Sequence, residues 1–208
     1  MSDETTADSP TANEAVEARA LPLPGLLIAW SNEEPERIGE LALVPGRDTP
    51  WVLGREADDG MTRLHFAPQR PGKPGRPRGI EGAGISRHQL DVAREGEGLR
   101  VERKGRCNTS VNGTRVDRAL LRPGDTLLLH RQLLLLCVER PAMLPALRSF
   151  PTDAWRAFGE PDALGLIGES PIIWQLRERL AFCARTDRHV LVQGPSGSGK
   201  ELVGQGVH

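Results

Sequence analysis

The chain has 208 residues, which is enough for one well-buried domain and part of a second. Its 27 lysines and arginines nearly cancel its 28 aspartates and glutamates, so no overall field favours nucleic acid or an anionic membrane surface. The three cysteines are far apart and the five histidines are scattered. This pattern argues against a disulfide framework and against a metal site, and it suits a reducing cytosol.

The first segment, residues 1–22, is acidic and polar and carries almost no large apolar side chain. Such a composition buries too little surface to offset the entropy of ordering, so we predict a disordered tail. It also lacks the basic start and apolar core of a secretory signal. The longest apolar stretch, Thr126–Val138, is interrupted by His130-Arg131-Gln132, and each half is shorter than the about 20 residues that a membrane helix needs. We therefore predict a cytoplasmic protein without membrane contacts.

Residues 23–140 alternate short apolar runs with turn residues such as Pro45-Gly46, Asn112-Gly113 and Pro123-Gly124. Many short strands at this spacing predict a β-sandwich or barrel. The run Leu133–Val138 shows no alternation, and its shortness favours a strand that is buried on both faces. The predicted strands are Leu26–Trp30, Ile38–Val44, Trp51–Leu53, Gln89–Val92, Leu99–Val101, Ser110–Val111, Thr126–Leu129 and Leu133–Val138.

Three further segments complete the predicted organisation. The basic, Pro/Gly-rich stretch Arg70–Gly79 predicts a mobile loop, either a solvated insertion or a phosphate or nucleic-acid contact. Residues 141–164 are proline-rich and read as a linker. In residues 165–208, Ser170-Pro171 begins a helix that runs to about Arg185, and His189–Gln193 predicts a short buried strand.

A glycine-rich loop follows that predicted strand and fits G-x-x-x-x-G-K. Glycines let successive backbone N–H groups turn around a phosphate, the next helix presents the positive end of its dipole, and the lysine reaches the β- and γ-phosphates. A chance glycine loop is the alternative. The predicted ATP-binding residues of this Walker A loop are Gly194, Pro195, Ser196, Gly197, Ser198, Gly199, Lys200 and Glu201.

The stretch Leu166-Ile167-Gly168-Glu169-Ser170-Pro171, together with Leu176-Arg177-Glu178 and the loop ending Gly-Lys-Glu, resembles the start of the AAA+ domain of sigma-54-dependent activators. The resemblance covers about residues 164–208 and implies ATP with Mg²⁺ as the cofactor of the complete domain, with Ile167 and Gly168 near the adenine. Pro195, Gly204 and Gly206 depart from the residues usual in that family.

A working ATPase of this family also needs an acidic strand, an arginine from a neighbouring subunit, a sigma-factor loop and a lid. None of these follows the phosphate loop before His208. We therefore predict that this chain alone is not an enzyme and assign no catalytic residue. DNA would be reached only through a further C-terminal domain.

Three patches in the β-rich part occur in a recognisable order: Gly54-Arg55 after a strand, Ser86-Arg87 before one, and Asn108–Thr114 on a turn. Over about residues 26–140 they resemble the forkhead-associated (FHA) domain, whose loops bind phosphothreonine. The predicted fold is thus mainly β, an FHA-type sandwich followed by a partial α/β P-loop (AAA+) segment. Two departures stand out: Gln89 occupies the position of a family histidine that braces the loops, and the Asn108 segment is one residue short.

The residue types suit a phosphate dianion. Arginines supply charge-assisted donors, a serine supplies a hydroxyl, and asparagines hold the peptide backbone. Each has a plainer alternative, as a surface arginine, a turn hydroxyl or a tight Asn-Gly hairpin turn. The fold could also have changed to contacts that do not need phosphate. The predicted phosphothreonine-binding residues are Arg55, Ser86, Arg87, Asn108, Ser110 and Asn112.

These features predict a signal-input module of a sigma-54-dependent transcriptional regulator. Its partners would be a phosphothreonine protein, such as a Ser/Thr kinase or its substrate, and sigma-54 RNA polymerase in the complete protein. Two alternatives remain: a stand-alone adaptor without ATPase or transcriptional activity, and a P-loop ATPase or kinase in its own right.

Overall fold

The computed structural model describes residues 22–46, 48–151, 156–186 and 189–206. The predicted disordered tail therefore lies, up to residue 21, outside the described residues. The strands are β1 (Pro22–Ser31), β2 (Leu41–Leu43), β3 (Trp51–Leu53), β4 (Gln69–Arg70), β5 (Lys73–Pro74), β6 (Leu90–Glu95), β7 (Gly98–Arg103), β8 (Thr109–Val111), β9 (Thr114–Arg115), β10 (Arg118–Leu121), β11 (Thr126–Leu129) and β12 (Leu133–Pro141). The α-helices are α1 (Pro171–Cys183) and α2 (Lys200–Gln205), and a 3-10 turn covers Pro35–Arg37.

Two antiparallel sheets face each other as a sandwich. One has the strand order β2-β1-β12-β11-β8-β9 and the other the order β10-β7-β6-β3, while β4 and β5 form a separate hairpin. The first and last strands of the sandwich lie side by side, with Pro22 opposite Pro141 and Ser31 opposite Leu133. The mainly β fold with a two-sheet sandwich confirms the predicted fold class, and every apolar run predicted within residues 23–140 overlaps a strand.

The core lies between the two sheets. Leu26 and Ile28 of β1 face it, as do Leu133, Leu135 and Cys137 of β12, each at most 2 % exposed. Each fully buried leucine contributes about 1.5–3 kcal/mol relative to an exposed one. The intervening residues of β12, Leu134 and Leu136, are only half-buried. The predicted strand is therefore confirmed, but it alternates between a fully and a partly buried face.

Buried Arg37 ties the 3-10 turn to a distant segment. Its guanidinium is 1 % exposed and pairs with Glu34 at 2.7 Å and with Glu40 at 2.8 Å. It also donates to the backbone carbonyls of Gly79 at 2.6 Å and Arg78 at 3.1 Å. Burial lowers the pKa of Arg37, but the bonds to both carboxylates outweigh it and raise the pKa above its ordinary value.

The stretch Arg70–Gly79, predicted as a mobile loop, includes some regular structure. Its first residues form the β4–β5 hairpin, in which Gly72 takes φ +62° at the turn. Further along, Arg78 and Phe66 exchange backbone hydrogen bonds of 2.9 Å in both directions. These long-range partners offset the weak local preference of a Pro/Gly-rich sequence for regular structure.

The C-terminal segment is partly as predicted. Helix α1 begins after Ser170, whose hydroxyl accepts from the N–H of Ile173, and proline occupies its first turn. The predicted strand at His189–Gln193 was wrong: the described residues there are not in a strand, and Leu191 is 81 % exposed. A strand requires a hydrogen-bonded neighbour, and each strand of the described residues lies at or before Pro141.

Part of the region read as a linker is packed. Leu144 and Phe150 are buried against Trp174 of α1. Glu178 of α1 accepts from the backbone N–H groups of Ser149 and Phe150. Although burial raises the pKa of Glu178, these N–H donors lower it below its ordinary value. The start of the linker region is thus tied to the helix that follows it.

Candidate functional site

Two loops of the four-stranded sheet bring the first predicted residues together. Strands β3 and β6 are antiparallel, with Leu53 opposite Leu90, so the end of one strand lies beside the start of the other. As a result, the N–H of Arg55 donates to the carbonyl of Ser86 at 3.0 Å. A Cβ on Gly54 would lie 2.2 Å from the carbonyl oxygen of Arg87, so only glycine allows this approach.

A third loop, after β7, closes on the same point. The N–H of Arg106 donates to the Ser86 hydroxyl at 3.1 Å. A Cβ on Gly105 would lie 2.7 Å from that hydroxyl oxygen, so this glycine also permits close contact between loops. The serine hydroxyl is therefore oriented by the backbone, and the Arg106 side chain is exposed next to it.

These loops line an open pocket of about 670 Å³. Its charged lining residues are Arg55, Arg87 and Arg106, and Ser86 and Cys107 line it as well. Burial raises the pKa of the Cys107 thiol above its ordinary value, so it remains neutral at physiological pH. Three arginines and a serine that line one pocket favour a group with concentrated negative charge, because charge-assisted hydrogen bonds are the strong ones.

The cationic pocket has an acidic neighbour. Arg55 and Arg87 also border a second cavity whose remaining charged residues are Glu56, Asp58, Asp59 and Glu81. Within it, Glu56 pairs with His65 at 2.9 Å and Asp59 pairs with Arg63. The two arginines therefore lie between an acidic surface and the serine pocket.

Gln89 stands where the sequence comparison expected a histidine, and both its amide nitrogen and its amide oxygen are hydrogen-bonded. Its side chain is buried; Nε2 donates to the carbonyl of Cys107 at 2.8 Å, and Oε1 accepts from the N–H of Cys107 at 3.2 Å. Its own carbonyl accepts from Lys104 and Gly105. The amide thus joins the loop before β6 to the loop after β7, while His88 pairs with Asp91.

The asparagine segment has other contacts. Asn108 accepts from Arg115 at 2.8 Å, and Ser110 lies within β8. Asn112, at φ +48°, donates to Asp125 at 2.8 Å and accepts from the N–H of Thr126 at 2.8 Å. These bonds fasten the β8–β9 turn to the start of β11. Of the predicted residues, Arg55, Ser86 and Arg87 line the pocket; Asn108, Ser110 and Asn112 are not among its lining residues.

Sequence reasoning missed Arg106 and Cys107 as pocket residues. Both come shortly before Asn108 in the third loop, and the shortened asparagine segment was the available signal. A loop one residue short moves its neighbours relative to the pocket. The contact between Arg106 and Ser86 depends on a separation of 20 residues, which no local pattern reveals.

The glycine-rich loop before α2 has turn geometry. Gly197 and Gly199 take φ +77° and +78°, a conformation that favours glycine. Lys200 donates from Nζ to the carbonyl of Pro195 at 2.7 Å, while Glu201 is exposed. Helix α2 lies beside the residues before Ile167, since a Cβ on Gly165 would meet Leu202 at 3.7 Å. Ile167 itself is 64 % exposed, and Gly168 takes φ +130°.

A family model described as "Sigma-54 interaction domain" matches the C-terminal segment. The match covers residues 166–208. It confirms the predicted start of such a domain, and the chain carries part of it after the β-sandwich.

Curated relatives match a short part of this chain. The Nif-specific regulatory protein of Bradyrhizobium diazoefficiens is 46 % identical over 46 residues, which is 22 % of this chain and 8 % of the relative. The transcriptional regulator VasH of Vibrio cholerae is 49 % identical over 56 residues, 27 % of this chain and 11 % of its own length. The chain thus spans about a tenth of the length of these relatives.

Solved FHA domains resemble the sandwich. An FHA domain of Arabidopsis thaliana has a TM-score of 0.43 at 16 % identity, covering 69 % of this chain and 99 % of that domain. One from Chlamydia trachomatis has a TM-score of 0.38 at 15 % identity, covering 57 % and 96 %. The two-sheet fold of this chain is established by its own strand order and not by these likenesses.

The described residues contain neither a membrane-spanning helix nor a metal-binding cluster. Among the described residues, no helix is long and apolar enough to cross a bilayer. Within the same ranges, no three His, Cys, Asp or Glu side chains are grouped so that they could hold a metal ion.

Proposed function

We propose that the β-sandwich is a phosphothreonine-recognition module that serves as the input of a sigma-54-dependent regulator. The observation that carries the proposal is that Arg55, Arg87 and Arg106 line one pocket together with Ser86. In the proposed complex the guanidinium groups bind the phosphate oxygens and the serine hydroxyl donates a further hydrogen bond. The hydroxyl is suited to this because it already accepts from the N–H of Arg106, which leaves its proton free to point into the pocket.

The peptide backbone would lie along the asparagine segment. Asn108 and Asn112 are exposed and Ser110 is half-buried, so these polar side chains are within reach of an extended peptide. Their bonds to Arg115 and Asp125 fix the amide groups in place. Each primary amide has two donors and two acceptor positions. Because Asn112 Oδ1 already accepts from the N–H and the hydroxyl of Thr126, binding would use the remaining amide donors of both asparagines and the second acceptor position of Asn108.

The decisive experiment is calorimetric titration with a phosphothreonine peptide and its unphosphorylated twin. A library-derived phosphothreonine sequence serves as the probe. We expect measurable binding of the phosphorylated form and at least tenfold weaker binding of the other, because the charge-assisted bonds are lost with the phosphate. Equal affinities for the two forms would show that this pocket does not recognise phosphate.

For the C-terminal segment, we propose that the loop Gly194–Glu201 binds the phosphates of ATP with Mg²⁺ in the complete domain, with Ile167 and Gly168 near the adenine. The positive-φ glycines and the following helix support this, since backbone N–H groups and a helix N-terminus favour phosphate. Lys200 would exchange the Pro195 carbonyl for the β- and γ-phosphates. Peptide binding to the sandwich would then influence how the complete regulator assembles on sigma-54 polymerase in the cytosol.

We expect the purified 208-residue chain to show no ATP hydrolysis above the buffer background. The physical reason is that phosphoryl transfer requires an acidic residue for magnesium and water and an arginine for the transition-state charge, in addition to the phosphate loop. Phosphate release is the measurement, and Lys200→Ala is the matched control. Hydrolysis by the wild type that disappears in this variant would contradict the proposal and favour an independent ATPase.

A further inference from the structure

The β4–β5 hairpin of the sandwich reaches the C-terminal segment through Arg70. Its Nε and Nη2 atoms contact the two carboxylate oxygens of Glu169, at 3.1 and 2.5 Å, in a bidentate pair. Its Nη1 atom donates to the carbonyl of Arg156 at 2.9 Å. Both side chains are largely covered, with 17 % and 11 % exposed, so this ion pair is screened by water much less than a surface pair.

Two aromatic rings enclose the same guanidinium. Its Cζ atom lies 5.6 Å from the ring centre of Phe158 and 5.8 Å from that of Trp174, within the range of cation–π attraction. Trp174 in turn packs edge-on against Phe150, with ring centres 6.4 Å apart. Arg70 is therefore inserted into a socket, defined here as Arg156, Phe158, Glu169 and Trp174.

The hairpin has further attachments, one to the end of β12 and one to the chain that follows it. The N–H of Gly72 donates to the carbonyl of Leu144 at 2.9 Å, and Gln69 Nε2 donates to the carbonyl of Pro141 at 2.7 Å. A side chain at Gly72 would collide with Ala146, at 2.9 Å from the added Cβ. These bonds hold the hairpin beside the chain that leads to α1.

The socket side is itself braced by a buried ion pair. Arg177 of α1 contacts Asp162 at 2.7 Å, and the two side chains are 3 % and 5 % exposed. Arg177 also donates to the carbonyls of Gly168 at 2.7 Å and Leu166 at 3.0 Å, and it lies over the Trp174 ring. The turn that carries Glu169 is thus bonded to α1 through Arg177, separately from its contact with Arg70.

We propose that the β4–β5 hairpin is a docking element, in which Arg70 in its socket fixes the sigma-54-domain segment to the β-sandwich. The two parts then behave as one folded unit instead of being joined by a free linker. Glu169 directly follows Ile167 and Gly168, so on the proposed function the docking also orients the residues assigned to the adenine. The docking itself does not depend on peptide or nucleotide binding.

Hydrogen–deuterium exchange of the whole chain, with and without Arg70→Ala, tests the docking. We expect the amides of α1 and of residues 156–169 to exchange about tenfold faster in the variant, because local opening no longer has to break the bonds to Glu169 and Arg156. Strands β1 and β12 should keep their protection. Arg76→Ala, which alters an exposed arginine a few residues along the same segment, should change neither region.

Glu169→Ala and the double variant complete the experiment. If the two residues act on each other, the double variant should exchange no faster in α1 than the faster single variant. Unchanged α1 exchange in Arg70→Ala would overturn the proposal. Equally faster exchange in α1 and in β1 would also overturn it, because Arg70 would then support the sandwich as a whole.

Discussion

Replacing Arg55 with alanine is expected to weaken the binding of a phosphothreonine peptide about a hundredfold. The guanidinium contributes charge-assisted hydrogen bonds worth about 1.5–3 kcal/mol, and each 1.4 kcal/mol is tenfold in affinity. The fold should survive, since the contact of Arg55 that joins the loops is made by its backbone N–H to Ser86. Calorimetric titration of the wild type and the variant with the same peptide is the measurement.

Two control variants sharpen this prediction. Arg55→Lys keeps the charge but loses the planar fork, so an intermediate loss of roughly tenfold is expected. Arg118→Ala removes an arginine from a surface pair with Glu102 at 3.0 Å and should leave the affinity unchanged. If Arg55→Ala binds the phosphopeptide as tightly as the wild type does, this arginine is not part of a phosphate site.

Replacing Arg37 with alanine is expected to lower the free energy of unfolding of the sandwich by about 3–5 kcal/mol, because the change leaves buried charge and carbonyl groups without their partner. Glu40 is 2 % exposed and would keep only its contact with Arg78 at 2.7 Å. The carbonyl of Gly79 would lose a bond of 2.6 Å. Denaturant unfolding, followed by a signal of the sandwich, measures the loss.

The control for Arg37 is an exposed ion pair of similar chemistry. Arg100→Ala removes a contact with Glu95 in which 43 % and 55 % of the side chains are exposed, and we expect a change below about 1 kcal/mol. A loss of similar size for Arg37→Ala would mean that its network contributes little to stability. Arg37 also supports the pocket, since its partner Glu34 accepts from the N–H of Glu81 at 3.1 Å, just before the Ser86 loop.

Local patterns predicted much of this molecule. The apolar runs located the main strands, because alternation and turn residues reflect the path of one chain segment through a half-buried sheet. Ser170-Pro171 predicted the start of α1, because capping and proline act within one helical turn. The order of Arg55 and Ser86-Arg87 around two strands predicted that these side chains would meet, and they line one pocket.

Features that depend on partners distant in sequence are visible only in the folded structure. Gln89 joins the loop before β6 to the loop after β7 because its amide meets Cys107, which is 18 residues away. The basic, Pro/Gly-rich stretch begins with the β4–β5 hairpin, and Arg70 of that hairpin contacts Glu169, which is 99 residues away. His189–Gln193 has the apolar residues of a strand without being in one, since its backbone has no ladder partner among the described residues.

Local patterns in the sequence thus predicted the class of fold, the main strands, the capped helix and the residue types of the arginine–serine loops, because each of these has a signal within a few neighbouring residues. The position of Arg106 in the pocket lining and the contact of Arg70 with Glu169 are visible only in the folded structure. Arg106 contacts Ser86 through its backbone N–H and Arg70 contacts Glu169 through its guanidinium, and both contacts join segments that are distant in sequence. The physical reason is that such contacts depend on where the backbone brings the loops together, and local periodicity and propensity carry no information about that.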